Sequence, residues 1–205
     1  LTMITGYSEV LRDIPGENTP ENIQVIIDEA QYLTRLVNDI LDISKLQSGM
    51  QSLELSEYNL TKSMGEIIDR YRKLIELKGY TINFSYKHEV SVKADALRIS
   101  QVIYNLLNNA VNYTGHNKSV TVRQTVLDKK VRVEVMDSGK GIPAQELPYI
   151  WDRYYRIDKN HRRSAIGTGL GLSIVKSILD EHGACYGVIS KEGEGSTFWF
   201  ELPAV

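Results

Sequence analysis

Residues 131–143 read Val-Arg-Val-Glu-Val-Met-Asp-Ser-Gly-Lys-Gly-Ile-Pro, and the fold is best approached from this stretch. Its first six residues alternate apolar and polar side chains, which predicts a β-strand with one buried face. The strand ends at Asp137 and is followed by Gly139 and Gly141, which let another backbone come close. A carboxylate in that position can accept a hydrogen bond from an adenine amino group. Asp and Gly also dominate plain turns, which is the better interpretation of this stretch by itself.

A helix is predicted upstream, from about Ala94 to Tyr113. Apolar residues cover most of its circumference, so it should be buried; they are Val102, Ile103, Leu106, Leu107, Ala110 and Val111. Asn105, Asn109 and Asn112 nevertheless fall four and three apart and line one face. An unpaired buried amide costs of order 1–3 kcal/mol, and a ligand or hydrated Mg²⁺ could supply its partner. An amide ladder satisfied by neighbouring backbone is the alternative, at about even weight.

A glycine-rich block downstream precedes another predicted helix, from about Gly169 to His182. Gly167, Gly169 and Gly171 lead into this helix, so its free N–H groups and its dipole can face phosphate oxygens. A dinucleotide-binding fold would need a strand before the glycines, but the preceding residues are polar and basic. A Walker loop would need Gly-Lys-Ser/Thr, and Leu172 follows the last glycine. Both classes are disfavoured.

Residues 152–168 are polar and aperiodic, and the stretch is long enough for a functional loop. Its cations would suit a lid over phosphates, although a solvated charged loop is the commoner meaning of such a run; they are Arg153, Arg156, Lys159, Arg162 and Arg163.

The remaining pattern from residue 53 onward is mixed. It predicts a helix from Leu60 to about Lys78 capped by Asn59, a strand over 80–86, strands Val120–Val126 and Val131–Met136, a short helix Pro143–Ile150, and two last strands ending at Leu202. Gly193-Glu-Gly-Ser-Thr197 is more typical of a hairpin loop than of a site. Helices on one side of a mixed sheet make residues 53–205 a two-layer α/β sandwich.

Residues 1–49 are helical in pattern and are broken once, between Ile14 and Pro20. The second helix carries a heptad seam of Ile23, Ile26, Ala30, Leu33, Val37, Ile40 and Ser44. Two helices cannot bury stripes this wide alone, so we expect a second chain's hairpin to complete a dimeric four-helix bundle. Packing against the rest of the same chain is the alternative. The fold class is therefore α+β.

Composition narrows the function further. The 205 residues carry a net charge of −2 without any long basic block, which argues against nucleic-acid binding. The single cysteine, Cys185, excludes an intrachain disulfide and a thiolate metal cluster, as expected in a reducing compartment. No apolar run approaches the roughly 18 residues of a membrane span. His88, His116, His161 and His182 have no metal-ligand spacing and should lie at the surface.

Taken together and in order, four blocks resemble the N, G1, G2 and G3 boxes of bacterial sensor histidine kinases, members of the gyrase-type ATPase superfamily. These blocks are 105–110, 137–141, 167–172 and 193–197, and 150–156 is similar to the F box. The resemblance covers essentially the whole chain, and its specificity lies in the ordered set. Trp151 replaces the usual Phe, and Asn112 stands where the family often carries Lys.

The resemblance implies a site for ATP and Mg²⁺. Asn109 would bind Mg²⁺ beside Asn105, Asp137 would bind adenine, and Arg156 would contact phosphate; Asn105, Asn109 and Arg156 are the implied catalytic residues. The other implied cofactor-binding residues are Asn112, Tyr113, Gly139, Gly141, Ile142, Tyr155, Gly167, Thr168, Gly169, Leu170, Gly171, Leu172 and Thr197.

The resemblance also implies a reaction, the transfer of the ATP γ-phosphoryl group to a histidine and then to an aspartate of a response-regulator receiver domain. The family's hairpin dimerises and carries that histidine a few residues before the position of Leu1, where none of the four histidines lies. We therefore expect a cytoplasmic core that lacks its acceptor block, cannot autophosphorylate alone, and meets a membrane only through upstream segments. A nucleotide-binding interaction module is the alternative. A gyrase-type ATPase or serine kinase is disfavoured by the hairpin.

Overall fold

The computed structural model describes residues 2–47, 52–75, 79–156 and 168–205. Within these ranges the helices are α1 (Thr2–Asp13), α2 (Pro20–Gln47), α3 (Leu60–Ile75), α4 (Ala96–Tyr113) and α5 (Gly171–Glu181). The strands are β1 (Ser56–Asn59), β2 (Thr81–Ser85), β3 (Ser91–Ala94), β4 (Ser119–Leu127), β5 (Lys130–Asp137), β6 (Cys185–Lys191) and β7 (Gly195–Pro203). We call α1 with α2 the hairpin, and the remaining elements the sandwich.

The hairpin turns at Gly16, whose φ of 92° lies in the left-handed region. Pro20 opens α2 as a first helical residue, and the Thr19 hydroxyl accepts a hydrogen bond from the Asn22 amide at 3.2 Å. Leu36 packs against the core of the sandwich, so part of α2 does pack on its own chain. Other apolar residues of α2 are exposed in the single chain, namely Ile23, Ile27, Val37, Ile40 and Leu41.

The sandwich has the predicted two layers. Its five-stranded sheet has the order β2-β4-β5-β7-β6, in which β2 pairs parallel with β4 and the other pairs are antiparallel. Alternate residues of β4, β5 and β7 are buried beneath α3, α4 and α5, which form the second layer. Asp128 and Lys129 join β4 to β5 with φ of 49° and 61°, the geometry of a two-residue hairpin turn.

Two short strands were not predicted from the sequence. β1 and β3 pair antiparallel with each other, from Ser56 opposite Ala94 to Asn59 opposite Ser91. Each has four residues, too few for a period of two to stand out. Because β3 takes Ala94, α4 begins two residues later than predicted, and the Asp95 carboxylate caps it by accepting from two backbone amides, both at 3.1 Å.

The predicted helix Pro143–Ile150 is wrong. The segment consists of successive turns in which the amides of Glu146 and Tyr149 bond the carbonyls three residues back, at 2.9 and 3.0 Å. These turns bury Ile150 in the core. The start of α5 also shifts, because Gly169 has a φ of 76° and cannot belong to a right-handed helix.

The surface prediction for the histidines fails at His182, which is half-buried. Its Nε2 accepts a hydrogen bond from the Asp95 amide at 3.1 Å, and its Nδ1 lies 2.7 Å from the Ile178 carbonyl oxygen, so it joins the end of α5 to the start of α4. His88 and His116 are exposed as predicted, and His161 lies outside the described residues. None of the helices in the described ranges is long and apolar enough to cross a membrane.

Substitution of two glycines tests the packing of the sandwich. A Cβ on Gly195, whose φ is 95°, would lie 2.1 Å from the Asp137 carbonyl oxygen, whereas a Cβ on Gly65 within α3 would meet nothing within 4 Å. We expect Gly195→Ala to lower the free energy of unfolding by roughly 3 kcal/mol. Gly65→Ala should raise it by about 0.5–1 kcal/mol, because alanine restricts the unfolded chain. Urea denaturation measures both, and equal midpoints for Gly195→Ala and the wild type would contradict the close approach.

Candidate functional site

A cavity of about 1900 Å³ lies over the exposed side of α4, bounded by α5 and by the loop after β5. It collects most of the predicted site residues, namely Asn105, Asn109, Asn112, Tyr113, Asp137, Gly139, Gly141, Ile142, Tyr155, Arg156, Thr168, Gly169, Gly171 and Leu172. These residues are spread over 68 positions of sequence, and the sandwich brings them to one place.

The amide face of α4 forms one wall of the cavity. Asn105 and Asn109 are half-buried, and neither side-chain amide is hydrogen-bonded within the described residues. The Oδ1 atom of Asn105 would lie 3.3 Å from a Cβ on Gly171, so this amide faces the first turn of α5. The predicted ladder satisfied by neighbouring backbone is therefore absent at these two positions of the described chain, and both amides are available to a ligand.

Asp137 lies on the opposite side of the cavity, at the end of β5 and opposite Ser196 on β7. Burial raises the pKa of the Asp137 carboxyl group, while hydrogen bonds from the backbone amides of Gly139 and Ser196 oppose that rise. The Gly139 amide donates to Oδ1 at 2.8 Å. The Asp137 carboxylate thus has one oriented oxygen, and the buried apolar residues Ile142, Ile150 and Phe198 line the same cavity.

The two glycines after Asp137 are required by close approaches. A Cβ on Gly139 would lie 1.9 Å from the Tyr113 carbonyl oxygen, so the loop touches the last residue of α4. A Cβ on Gly141, whose φ is 68°, would lie 2.0 Å from the Lys191 carbonyl oxygen. These contacts hold the loop between the end of α4 and the end of β6, so that Asp137 and the amide face of α4 line the same cavity.

The first turn of α5 faces the same cavity. The Ile174 amide makes the first intrahelical bond, to the Leu170 carbonyl at 3.0 Å, so the amides of Gly171, Leu172 and Ser173 precede the helical ladder. Such unpaired amides at a helix N-terminus, together with the helix dipole, favour an anion. The Tyr154 amide bonds the Gly169 carbonyl at 2.9 Å, and the Arg156 side chain packs beside Gly169. Arg156 is therefore held next to this anion-favouring turn.

Three predicted residues are not seen in the cavity wall. Thr197 alternates along β7 with Ser196 and Phe198, which line the cavity, so its side chain lies on the other face of the sheet. Leu170 is fully buried in the core. Gly167 lies outside the described residues, as do positions 157–167 of the predicted lid with Lys159, Arg162 and Arg163.

The sequence interpretation also missed cavity residues. Ile150, Ser196 and Phe198 line the wall near Asp137. The last two had a signal, because buried Phe198, Phe200 and Leu202 alternate with outward residues and place Ser196 on their side. Arg35 and Asp39 of α2 also line the cavity, and no local pattern connects them to a site that begins at Asn105, 66 positions after Asp39.

The residues present fit a nucleotide with Mg²⁺. Unpaired carboxamides such as that of Asn109 offer the oxygen ligands that Mg²⁺ takes alongside water. Among the described residues, no group of three or more His, Cys, Asp or Glu could hold a metal by protein ligands alone. A cation here would therefore share its coordination with phosphate oxygens and water, as Mg²⁺ does in nucleotide sites.

Two family models match the chain. Residues 94–205 match the model described as "Histidine kinase-, DNA gyrase B-, and HSP90-like ATPase". Residues 1–49 match the model described as "His Kinase A (phospho-acceptor) domain". The second match overlaps the hairpin, so a domain of the phospho-acceptor type is present there. The predicted boundary between residues 49 and 53 falls partly outside the described residues and stays a prediction.

Individual relatives agree with these models. The sensor protein SrrB of Staphylococcus aureus is 29% identical over 206 residues, which cover 99% of this chain and 35% of the relative; the chain thus spans about a third of that protein. The catalytic domain of histidine kinase ThkA is 33% identical, with a TM-score of 0.64 over 73% of this chain and 95% of that one. ThkA solved with response regulator protein TrrA is 28% identical, with a TM-score of 0.80 over 100% of this chain and 57% of that one.

Burial of Asp137 predicts a specific pH dependence. Its pKa is raised in the folded state, so the folded protein holds the proton more tightly than the unfolded chain, in which aspartate titrates near about 4. The favourable contribution of Asp137 to stability is complete below pH ~4 and is lost as pH rises through the raised pKa. The free energy of unfolding of the wild type should therefore fall relative to that of Asp137→Asn as pH rises from about 4 to 7.

Urea denaturation without nucleotide, repeated across this pH range, measures the difference. Asp128→Asn is the matched control, since it removes the same charge from the exposed turn between β4 and β5. A stability difference between the wild type and Asp137→Asn that does not change with pH would refute the role of burial.

Proposed function

Because the chain belongs to the histidine kinase-, DNA gyrase B- and HSP90-like ATPase family, we propose that it is the catalytic core of a sensor histidine kinase, a phosphotransferase of two-component signalling. One observation carries the proposal. A half-buried carboxylate, an unpaired amide face and an anion-favouring helix N-terminus line one cavity, beside a hairpin that matches the phospho-acceptor model.

The nucleotide would lie across this cavity. The adenine amino group would donate to the Asp137 carboxylate, and the ring would pack among Ile142, Ile150 and Phe198, which are buried or nearly so. The phosphates would reach the first turn of α5 and the Arg156 guanidinium, which is suited to paired hydrogen bonds with phosphate oxygens. Asn109 would bind Mg²⁺, with Asn105 beside it facing the same phosphates.

The chemistry is a transfer of the γ-phosphoryl group from ATP to a histidine nitrogen. Mg²⁺ held by Asn109 would neutralise negative charge that develops on the phosphates. The protein's own groups bind and orient: Asp137 sets the position of the base, and the α5 amides and Arg156 hold the phosphate tail. Such positioning is the main protein contribution to phosphoryl transfer.

The acceptor is proposed to lie outside the given sequence. Residues 1–49 match the phospho-acceptor model but contain no histidine, so we place the reactive histidine before Leu1. A homodimer would cover the exposed apolar side of α2, and the phosphoryl group would pass to an aspartate of a response-regulator receiver domain. The solved complex of the related kinase ThkA with response regulator TrrA supports that partner. The setting would be cytoplasmic.

A nucleotide-binding interaction module is the second candidate. Asn112 is exposed at the cavity edge, where the kinase family often carries a lysine. A neutral side chain there removes one possible phosphate contact, so nucleotide could be bound without transfer.

Nucleotide selectivity tests the role of Asp137. Inosine triphosphate carries an oxygen in place of the adenine amino group, so it would present an acceptor to the Asp137 carboxylate. We expect it to bind on the order of 100-fold more weakly than ATP, because a site built for a donor rejects an analogue without it. Asp137→Asn should reduce the difference between the affinities for ATP and inosine triphosphate, since a carboxamide can donate a hydrogen bond to the inosine oxygen. Competition against a fluorescent ATP analogue measures both, and equal affinity of the wild type for the two nucleotides would refute the assignment.

Labelling tests the reaction. The chain extended upstream to include a histidine, incubated with γ-labelled ATP and Mg²⁺, should acquire label that is acid-labile and base-stable, as phosphohistidine is. Asp137→Ala in that extended protein should lose the label. Asp128→Asn should keep it, because Asp128 lies in the exposed β4–β5 turn at a positive φ that asparagine tolerates. Tight ATP binding without label would favour the interaction module, and acid-stable label would indicate a serine kinase.

A further inference from the structure

A hydrogen bond joins the hairpin to the loop that precedes α5. The Thr168 hydroxyl donates to Oδ2 of Asp39 at 2.5 Å, across 129 positions of sequence. The same hydroxyl oxygen accepts from the Leu170 amide at 3.3 Å. The Asp39 carboxylate on α2 therefore holds, through one hydroxyl, the residues that lead into the first turn of α5.

This loop is the part of the cavity that sets the direction of the α5 amides. Gly169 follows Thr168 with a φ of 76°, and its carbonyl accepts from the Tyr154 amide. Gly169, two residues before the first residue of α5, therefore holds a left-handed backbone conformation that favours glycine. The Leu170 side chain makes no capping hydrogen bond, and the Leu170 carbonyl accepts from the Ser173 hydroxyl at 2.8 Å within the same turn. The hydrogen bonds described at Gly169 and Thr168 tie this turn to other elements, through Tyr154 and Asp39.

Resting on the function proposed above, we propose that Asp39 is a positioning residue for the nucleotide's phosphates. By fixing Thr168, it orients the amides of Gly171, Leu172 and Ser173 toward the cavity. The phosphate-binding turn is thus completed by the hairpin and not by the sandwich alone. The contact is placed for this role, because Asp39 and Thr168 are both half-buried and both line the cavity.

The contact also couples the nucleotide to the hairpin. If the Asp39–Thr168 bond strengthens phosphate binding, then bound phosphate must strengthen the bond by the same factor, because coupling between two equilibria is reciprocal. Adenosine, which has no phosphate, exerts no such effect. A triphosphate in the cavity therefore tightens the docking of α2 on the sandwich, whereas a nucleoside leaves it unchanged.

The test separates the hydrogen bond from the bulk of the side chains. In the whole chain, Asp39→Ala and Thr168→Val remove the bond, whereas Asp39→Asn keeps an acceptor and Thr168→Ser keeps a donor. Affinities for Mg·ATP and for adenosine are measured by calorimetry and NMR titration. We expect the first pair to weaken ATP binding on the order of tenfold, as the loss of one hydrogen bond to a charged group allows, with unchanged adenosine affinity.

The conservative pair should bind ATP within about twofold of the wild type, and the double variant Asp39→Ala/Thr168→Val should lose less affinity than the two single losses combined. Hydrogen exchange adds a second readout, since ATP but not adenosine should protect the amides of α2 around Asp39 in the wild type. This protection should be absent in Thr168→Val.

The outcomes distinguish the two proposals. A wild type that binds ATP while Asp39→Ala and Thr168→Val bind it equally or more tightly would overturn the positioning role and leave the kinase assignment intact. Parallel losses for ATP and adenosine would also overturn it, since they would show general destabilisation. A wild type that binds neither ligand would overturn the proposed function itself, and this inference with it.

Discussion

The antiparallel pairing of β5 with β7 is the constraint on which the cavity depends. Its register sets Asp137 opposite Ser196, so the end of β5 lies beside the turn that opens β7. Gly195 is so close to the Asp137 carbonyl that no Cβ fits between them. From this fixed point the chain continues through Gly139, which touches the last carbonyl of α4. The carboxylate and the amide face of α4 therefore share one cavity because two backbones touch at glycine.

The electrostatics of the cavity follow from the same packing. Burial raises the pKa of Asp137, and two backbone amides partly offset that rise. On the other side, Asn105 and Asn109 are half-buried without hydrogen-bond partners in the described chain. Burial disfavours the charged form of the Asp137 carboxyl group, and a ligand that supplies a hydrogen-bond donor would offset that cost. A cation or a donor could bind the two amides without first breaking a hydrogen bond within the described chain.

The helix α2 serves two surfaces at once. Leu36 and Asp39 face the sandwich, the first through apolar packing and the second through the hydroxyl of Thr168. Val37, Ile40 and Leu41 are exposed in the single chain and form the apolar surface that a second hairpin would cover. A movement of α2 within a dimer would therefore shift the first turn of α5, because the same helix carries the dimer surface and the hydrogen bond to Thr168.

The sequence by itself determined the periodic elements and the ordered blocks. Alternation in β4 and β5, the amide spacing of α4 and the turn at Asp128 are local properties, encoded by neighbours within a few positions. Local patterns indicated the asparagines of α4, Asp137 and the glycines, and the resemblance to histidine kinases supplied most of the other site residues; the cavity contains most of the full set. Local patterns failed where they carry too little information. Residues 143–150 have the length of a short helix but fold as turns, and β1 and β3 are too short to show an alternation of apolar and polar residues.

The tertiary structure alone decided which side chains meet. It placed Ser196 and not Thr197 in the cavity, since the register of β7 assigns alternate residues to opposite faces of the sheet. It placed a half-buried His182 between two helix ends and joined Asp39 to Thr168 across the chain. Such contacts arise when the core packs and elements far apart in sequence come together. A single hydrogen bond between distant residues leaves no periodic trace in one sequence, and only the folded chain reveals it.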